Sequence, residues 1–151
     1  MATEPVKLRR ELRNPAYQAF LMLRTGFTIA PILAGVDKFF NWMVDWTQYL
    51  APWIDRLVPG TAQQFMYAVG VIEIAAGLLV LVAPRIGAFV VAGWLGGIVL
   101  NLLTANPPEY YDIALRDIGL MLGALVLGRL AWGLRRPGEG PAVRSDMRRA
   151  A

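Results

Sequence analysis

Four long apolar runs separated by short polar segments set the pattern of this chain. They span about Ala16 to Phe40, Ala62 to Val82, Ile86 to Leu103 and Ile113 to Trp132. Each holds roughly 18–25 residues, enough to cross a hydrocarbon core of about 30 Å as a helix. Uncharged soluble core helices of that length are uncommon. The pattern therefore predicts an all-α integral membrane four-helix bundle over residues 16–132 rather than a buried soluble bundle. Pro84–Arg85 leaves only a very tight turn between the second and third helices, which makes them antiparallel neighbours. Asn106–Pro107–Pro108 ends the third helix, since consecutive prolines cannot continue one.

The link between the first and second helices is long for a loop. Within it Phe39, Trp42, Met43, Trp46, Leu50, Trp53, Ile54 and Leu57 recur at helical spacing, with Asp45, Gln48 and Asp55 between them. This predicts an amphipathic helix lying flat at the outer membrane interface, where Trp is favoured. Its aromatic residues either anchor the bundle or form a lid or partner-docking surface.

Composition agrees with a bilayer protein: 56% of residues are hydrophobic and mean hydropathy is +0.45. With no Cys and no His, this chain cannot supply thiol redox chemistry, a Cys or His zinc site, Cys-ligated iron–sulfur clusters or a His-ligated haem. The pI of 9.9 points to anionic lipid headgroups rather than nucleic acid, because the basic residues concentrate in tails beside helices. Residues 1–15 form a basic tail with Lys7, Arg9, Arg10 and Arg13. Residues 133–151 form a second, disordered in expectation, with Arg135, Arg136, Arg144, Arg148 and Arg149. Arg85 lies in the connection on the same side as the tails. The opposite side holds Lys38 and Arg56 against Asp37, Asp45 and Asp55, then Glu109 and Asp112 with no base before Arg116. The asymmetry predicts both termini in the cytoplasm. The basic start lacks a short apolar region and small-residue cleavage site, so no secretory signal is expected.

The few charges inside the apolar runs carry the chemical information, because ionisable groups in hydrocarbon tend to face a bundle interior, pair, or mark a functional site. In the first helix Arg24, Thr28, Pro31, Gly35 and Lys38 share one face by their spacing. The second carries Gly70, Glu73 and Gly77 on one face; the third Gly93, Gly97 and Asn101. The fourth carries Asp117, Met121, Ala124 and Gly128, with Arg116, Gly119 and Gly123 beside them. Small residues at such spacing let helices approach closely in lipid, so the four stripes are expected to converge. Counted by helical rise, Arg24 sits about 12 Å into the first helix and Glu73 about 16 Å into the second from the other side. Both then approach the midplane, and an Arg24–Glu73 salt bridge is the economical arrangement. It serves either to specify the fold or to line a ligand or proton path. A second cluster is expected near the outer side: Asp37, Lys38, Asn41, Asn101, Arg116 and Asp117. There Asp117 should pair with Lys38 or Arg116, although simple snorkelling also accounts for Lys38 and Arg116.

These features resemble the DoxX-like family of small four-helix bacterial membrane proteins. The resemblance covers about Tyr17 to Leu130, through LRTGFTIAPILAGVDKFFN (Leu23–Asn41), VGVIEIAAGLLVLVAPRIGAFVVAGWL (Val69–Leu95) and YYDIALRDIGLMLGALVLGRLA (Tyr110–Ala131). The positions that match the family pattern are Arg24, Gly26, Gly35 with Lys38, Glu73, Gly77, Arg85 and Asp117. The Trp-rich segment Asn41–Leu57 departs from the shortest members. The resemblance implies a multi-pass protein of the bacterial cytoplasmic membrane, associated with membrane oxidoreductase systems. One branch resembles the membrane subunit of a thiosulfate:quinone oxidoreductase. Another is linked to assemblies with superoxide dismutase and a sulfurtransferase.

Three functions remain open on the sequence. A quinone-linked or redox-accessory subunit would hold no intrinsic cofactor beyond a quinone in the bundle, with Glu73, Asp117, Asn101 and Trp94 as candidates around the ring. A non-catalytic scaffold would use its Gly-rich faces, Gly93–Gly97 and Gly119–Gly123, to pack against other proteins of a membrane complex. A small-solute or proton pathway would need a polar interior running from the midplane to the outer cluster.

Overall fold

Asn14 starts the first helix for a local reason. Its side chain accepts the Ala16 N–H at 3.0 Å, and Pro15 fills the first helical position, where a missing N–H costs nothing. Helix α1 runs Pro15–Phe40 and ends where Asn41 turns left-handed, with φ 51° and its N–H on the Asp37 carbonyl. A 3-10 turn follows at Trp46–Tyr49, then a short helix α2 at Pro52–Leu57. Helix α3 (Ala62–Val82) opens with a capping box, in which Thr61 and Gln64 each accept the other's backbone N–H. Ala83 alone separates it from α4 (Pro84–Ala105), and α5 spans Tyr111–Gly133. This is the arrangement in a computed structural model, which describes residues 13–134. The two basic tails expected over 1–15 and 133–151 lie almost wholly outside the described residues.

The described chain is all-helical, and α1, α3 and α4 are each long and apolar enough to cross a membrane. Helix α5 is long enough but more charged, since Asp112, Arg116, Asp117 and Arg129 leave at least three charges in any 18-residue stretch of it. Large apolar side chains such as Met22, Leu33, Val71, Leu115 and Leu122 stand exposed along the outside of the helices. A hydrocarbon surround accommodates such a surface; water does not.

Helix α1 packs most closely on α3, and α4 on α5, with lesser contact of α3 on α4 and α1 on α5. Glycine sets the first of these. A Cβ at Gly35 would stand 2.5 Å from the Gly70 carbonyl oxygen, one at Gly70 2.6 Å from the Gly35 oxygen, and one at Gly77 2.7 Å from the Thr28 oxygen. The two backbones therefore touch along two turns. Helices α3 and α4 meet the same way only beside their turn, where Gly87 lies against the Val80 backbone. Farther on they leave an outward-facing apolar groove of about 390 Å³, lined by Ile72, Ala75, Leu79, Val90, Gly93 and Trp94.

Two expectations change here. The Asn41–Leu57 segment is not one amphipathic helix: the left-handed Asn41 ends α1, and Pro52 can only start a new helix, so the segment breaks into a turn and a short helix. Nor do four stripes converge. Thr28, Gly35, Lys38, Gly70, Glu73, Gly77, Asp117, Ala124 and Gly128 are buried, but Gly93 and Gly97 of α4 face outward, with open space where a Cβ would point. What α4 buries instead is the neighbouring face, Ala88, Val91, Ala92 and Leu102.

Candidate functional site: a buried lysine–glutamate centre

The α1–α3 contact fixes which charges meet. Gly35 faces Gly70 and Thr28 faces Gly77, so seven steps down α1 match seven steps up α3. By that register Glu73 stands level with Ile32, about 9 Å along the axis from Lys38. Side chains on a helix lean toward its N-terminus. In this antiparallel pair Lys38 leans inward from the end of α1, and Glu73 leans back toward it. The long lysine spans the remainder: its Nζ lies 2.6 Å from Glu73 Oε2, with the two side chains only 4% and 8% exposed.

The Arg24–Glu73 pair expected from helix depth is not formed. The same register places Arg24 level with Leu81, and its side chain leans away from Glu73. One of its terminal nitrogens donates to the Leu81 carbonyl, at the end of α3, where carbonyls lack helical partners. Arg24 thus caps α3 rather than joining the centre. Arg85 does likewise for α5, with Nε donating to the Ala131 carbonyl at 3.0 Å and the guanidinium 5.6 Å from the Trp132 ring. Lys38, grouped with the outer cluster and open to a snorkelling explanation, is the true partner of Glu73.

Around the pair the other elements close in. The Trp46 ring lies over Lys38, with Nζ 3.7 Å from the ring centroid, a cation–π contact. Asp37 holds that ring in place. Its carboxylate accepts the Trp46 indole N–H at 2.7 Å and the backbone N–H groups of Trp42 and Met43, each at 3.1 Å. Asp45 starts the turn that carries Trp46; the Thr47 hydroxyl and N–H donate to its carboxyl and hold it below the usual carboxylate range. Residues 41–57 therefore fold as a lid over the lysine end of the centre.

Asp117 is buried on α5 and accepts Arg116 Nε at 3.0 Å, while the rest of Arg116 is largely exposed. It lies within electrostatic range of Glu73. Trp94, on α4, brings its indole N–H close enough to Glu73 to interact with it, yet that buried N–H lacks the geometry of a hydrogen bond. Arg24 Nε and the Thr28 hydroxyl are the other buried side-chain donors without a partner among the described residues. Asn101 does not reach the centre. Its amide is spent on the lid, accepting the Ala51 N–H at 2.9 Å and donating to the Tyr49 carbonyl at 2.7 Å.

Of the seven residues singled out in the sequence, Lys38, Glu73, Asp117 and Trp94 gather in one interior. Arg116 stands at its edge, and Arg24 and Asn101 serve as fasteners at opposite ends. The roles of Asp37 and Trp46 are the elements that sequence reasoning misses. The available signal is local: a carboxylate one turn before a left-handed helix end, followed by free backbone N–H groups, is a natural anchor for the chain that follows. Set against protein-family models, characterised proteins and solved structures, the chain finds no match.

Proposed function

We propose that this chain is a DoxX-like integral membrane protein that serves as a subunit of, or accessory to, a quinone-linked membrane oxidoreductase system. In this reading α5 is a fourth span, both termini face the cytoplasm, and the membrane is the bacterial inner membrane. The ordered positions that carry the resemblance, above all Lys38, Glu73 and Asp117, are supported as a functional set by their convergence in one place. The observation that carries the proposal is the Trp94 indole N–H. It is buried, lacks the geometry of a hydrogen bond and lies beside Glu73, and the Trp94 side chain belongs to the wall of an apolar groove open to the outside. An unmet N–H in such a place costs free energy unless an acceptor fills it, and a quinone carbonyl is an acceptor of the right kind. Glu73 and Lys38 behind it supply a carboxylate and an ammonium between which a proton can be held.

Purification from native membranes in mild detergent, followed by solvent extraction and redox titration, tests the reading. Stoichiometric quinone that is lost in Trp94→Phe supports it; no quinone and no redox response removes it.

A second reading, a non-catalytic scaffold in a larger membrane complex, is favoured by one observation. Gly93, Gly97 and Gly119 face outward with open space above each, where another helix could approach. Native-gel migration as a sharp, much heavier species containing other chains would support it.

A further inference from the structure

The two ends of the Lys38–Glu73 centre are closed in different ways. At the lid end the closure is built from many bonds. Trp46 covers the ammonium, Asp37 accepts the Trp46 indole N–H and the backbone N–H groups of Trp42 and Met43, and Asn101 ties the lid to α4 through two hydrogen bonds. Trp53 adds a bond from its indole N–H to Thr104, and Tyr110 one to the Gln48 carbonyl. Between α3 and α4 the closure includes the Trp94 side chain. The groove is lined by Ile72, Ala75 and Trp94, and Trp94 also lies beside Glu73. The groove stays wide because α4 presents Gly93 there, with nothing within 4 Å of where a Cβ would be. Its remaining lining is aliphatic.

We propose that the centre takes a lipid-soluble ligand with a hydrogen-bond-accepting head, admitted sideways through the α3–α4 groove, while the Trp46 lid shuts out water. Rotation of the Trp94 indole is the gate: it turns the buried N–H away from Glu73 and onto the ligand's acceptor. The inference rests on the centre being the working site of a membrane protein. It does not require that the ligand be a quinone.

Carbodiimides test the route, because the carboxyl adds across the reagent's N=C bond and rearranges to an N-acylurea that retains every atom of both partners. Full-length protein in native membranes is treated with dicyclohexylcarbodiimide, which dissolves in the bilayer, or with a water-soluble cationic carbodiimide, and Glu73 is read by mass spectrometry. The expected result is Glu73 modified by the first reagent and not by the second. The product is either the N-acylurea or the Lys38–Glu73 amide, formed when the amine 2.6 Å away displaces the urea from the activated carboxyl; both products count as label. Gly93→Leu, which fills the groove, should lose most of the label. Gly97→Leu, an equally open α4 position outside the groove, should keep it and also reports that such a change is tolerated. Asp37→Asn and Trp46→Ala, which free the lid, should admit the water-soluble reagent and raise its labelling several-fold. Failure of the lipid-soluble reagent to label Glu73, equal labelling in Gly93→Leu, or free labelling of the wild type from water would each overturn the route. If the pattern holds and no quinone is extracted, the access route stands and only the redox reading falls.

Discussion

Two sets of glycines look alike in the sequence and do opposite things in the structure. Gly35, Gly70 and Gly77 lie where α1 and α3 touch backbone to backbone, and none of them has room for a methyl group. Gly93, Gly97 and Gly119 lie on outer faces of α4 and α5 with nothing within 4 Å of where a Cβ would be. The first set draws two helices together and so dictates which charges meet, bringing Lys38 onto Glu73 and carrying Arg24 to Leu81. The second leaves space that something outside the chain can fill. Small residues at helical spacing thus announce a close approach without saying whether the partner belongs to the same molecule.

The sharpest way to break this comparison is to remove a charge at the tight contact. Lys38→Met leaves Glu73 buried without its cation. Loss of one member of a buried pair costs about 3–5 kcal/mol. Unfolding titration in SDS should show a loss of that size for Lys38→Met and for Glu73→Met. The double replacement should recover most of it, since two apolar side chains of similar volume leave no charge unpaired. Arg24→Met should cost less than either, because Arg24 meets a carbonyl rather than a carboxylate. An Arg24 effect as large as that of Lys38, with coupling to Glu73, would overturn the register inferred from the glycine contacts.

Steric replacement at the same contact comes next. Gly70→Ala drives a methyl to 2.6 Å from the Gly35 carbonyl oxygen, and backbone cannot step aside as a flexible side chain can. Overpacking of this kind costs about 1–3 kcal/mol. The same unfolding measurement should place Gly35→Ala and Gly70→Ala in that range. Both should also weaken the Lys38–Glu73 pair by spreading the helices, so each should couple to Glu73→Met in a double-mutant cycle.

Much of this architecture is legible in the sequence. The four long helices follow from apolar run length, and the turn after the second and the end of the third from Pro84 and Pro107, because those signals are local. The burial of Glu73 and Asp117 follows from the cost of charge in hydrocarbon, whereas snorkelling accounts equally well for Lys38 until the structure shows it buried. Pairing does not follow. Depth counted from the ends of α1 and α3 puts Arg24 opposite Glu73, but relative height depends on how the helices slide, and only the Gly35–Gly70 and Thr28–Gly77 contacts fix that. The lid reads as one helix because its aromatic spacing is helical, although Asn41 and Pro52 both argue for breaks. Trp46 on Lys38 is beyond reach for a plainer reason: a cation–π contact between a helix end and a loop leaves no periodic trace.

The lid supplies a smaller effect. Asn101 bonds both the Tyr49 carbonyl and the Ala51 N–H. Asn101→Leu should cost about 1–3 kcal/mol, the penalty for leaving buried backbone groups unmet. The loss should be local. Hydrogen exchange should rise across residues 46–54 while the α1–α3 contact stays protected. A uniform rise across the molecule would mean that the lid is part of the core rather than a cover on it.

The smallest expected effect bears most directly on what the open glycines are for. Gly97→Ala puts a methyl into empty space on α4 and removes the backbone freedom of a mid-helix glycine, a change worth roughly 0.5–1 kcal/mol in favour of the helix. For the isolated chain in detergent, the SDS titration should therefore show stability unchanged or slightly raised. The informative measurement is the same substitution in native membranes. If α4 faces only lipid at this height, the mutant should migrate on a native gel as the wild type does. If a partner helix lies against Gly97, the methyl stands where that backbone must come, and the heavier species should be lost while the chain itself remains folded. The two outcomes divide the open glycines between a lipid-facing surface and a protein contact, a distinction that the tight set at Gly35 and Gly70 never leaves in question.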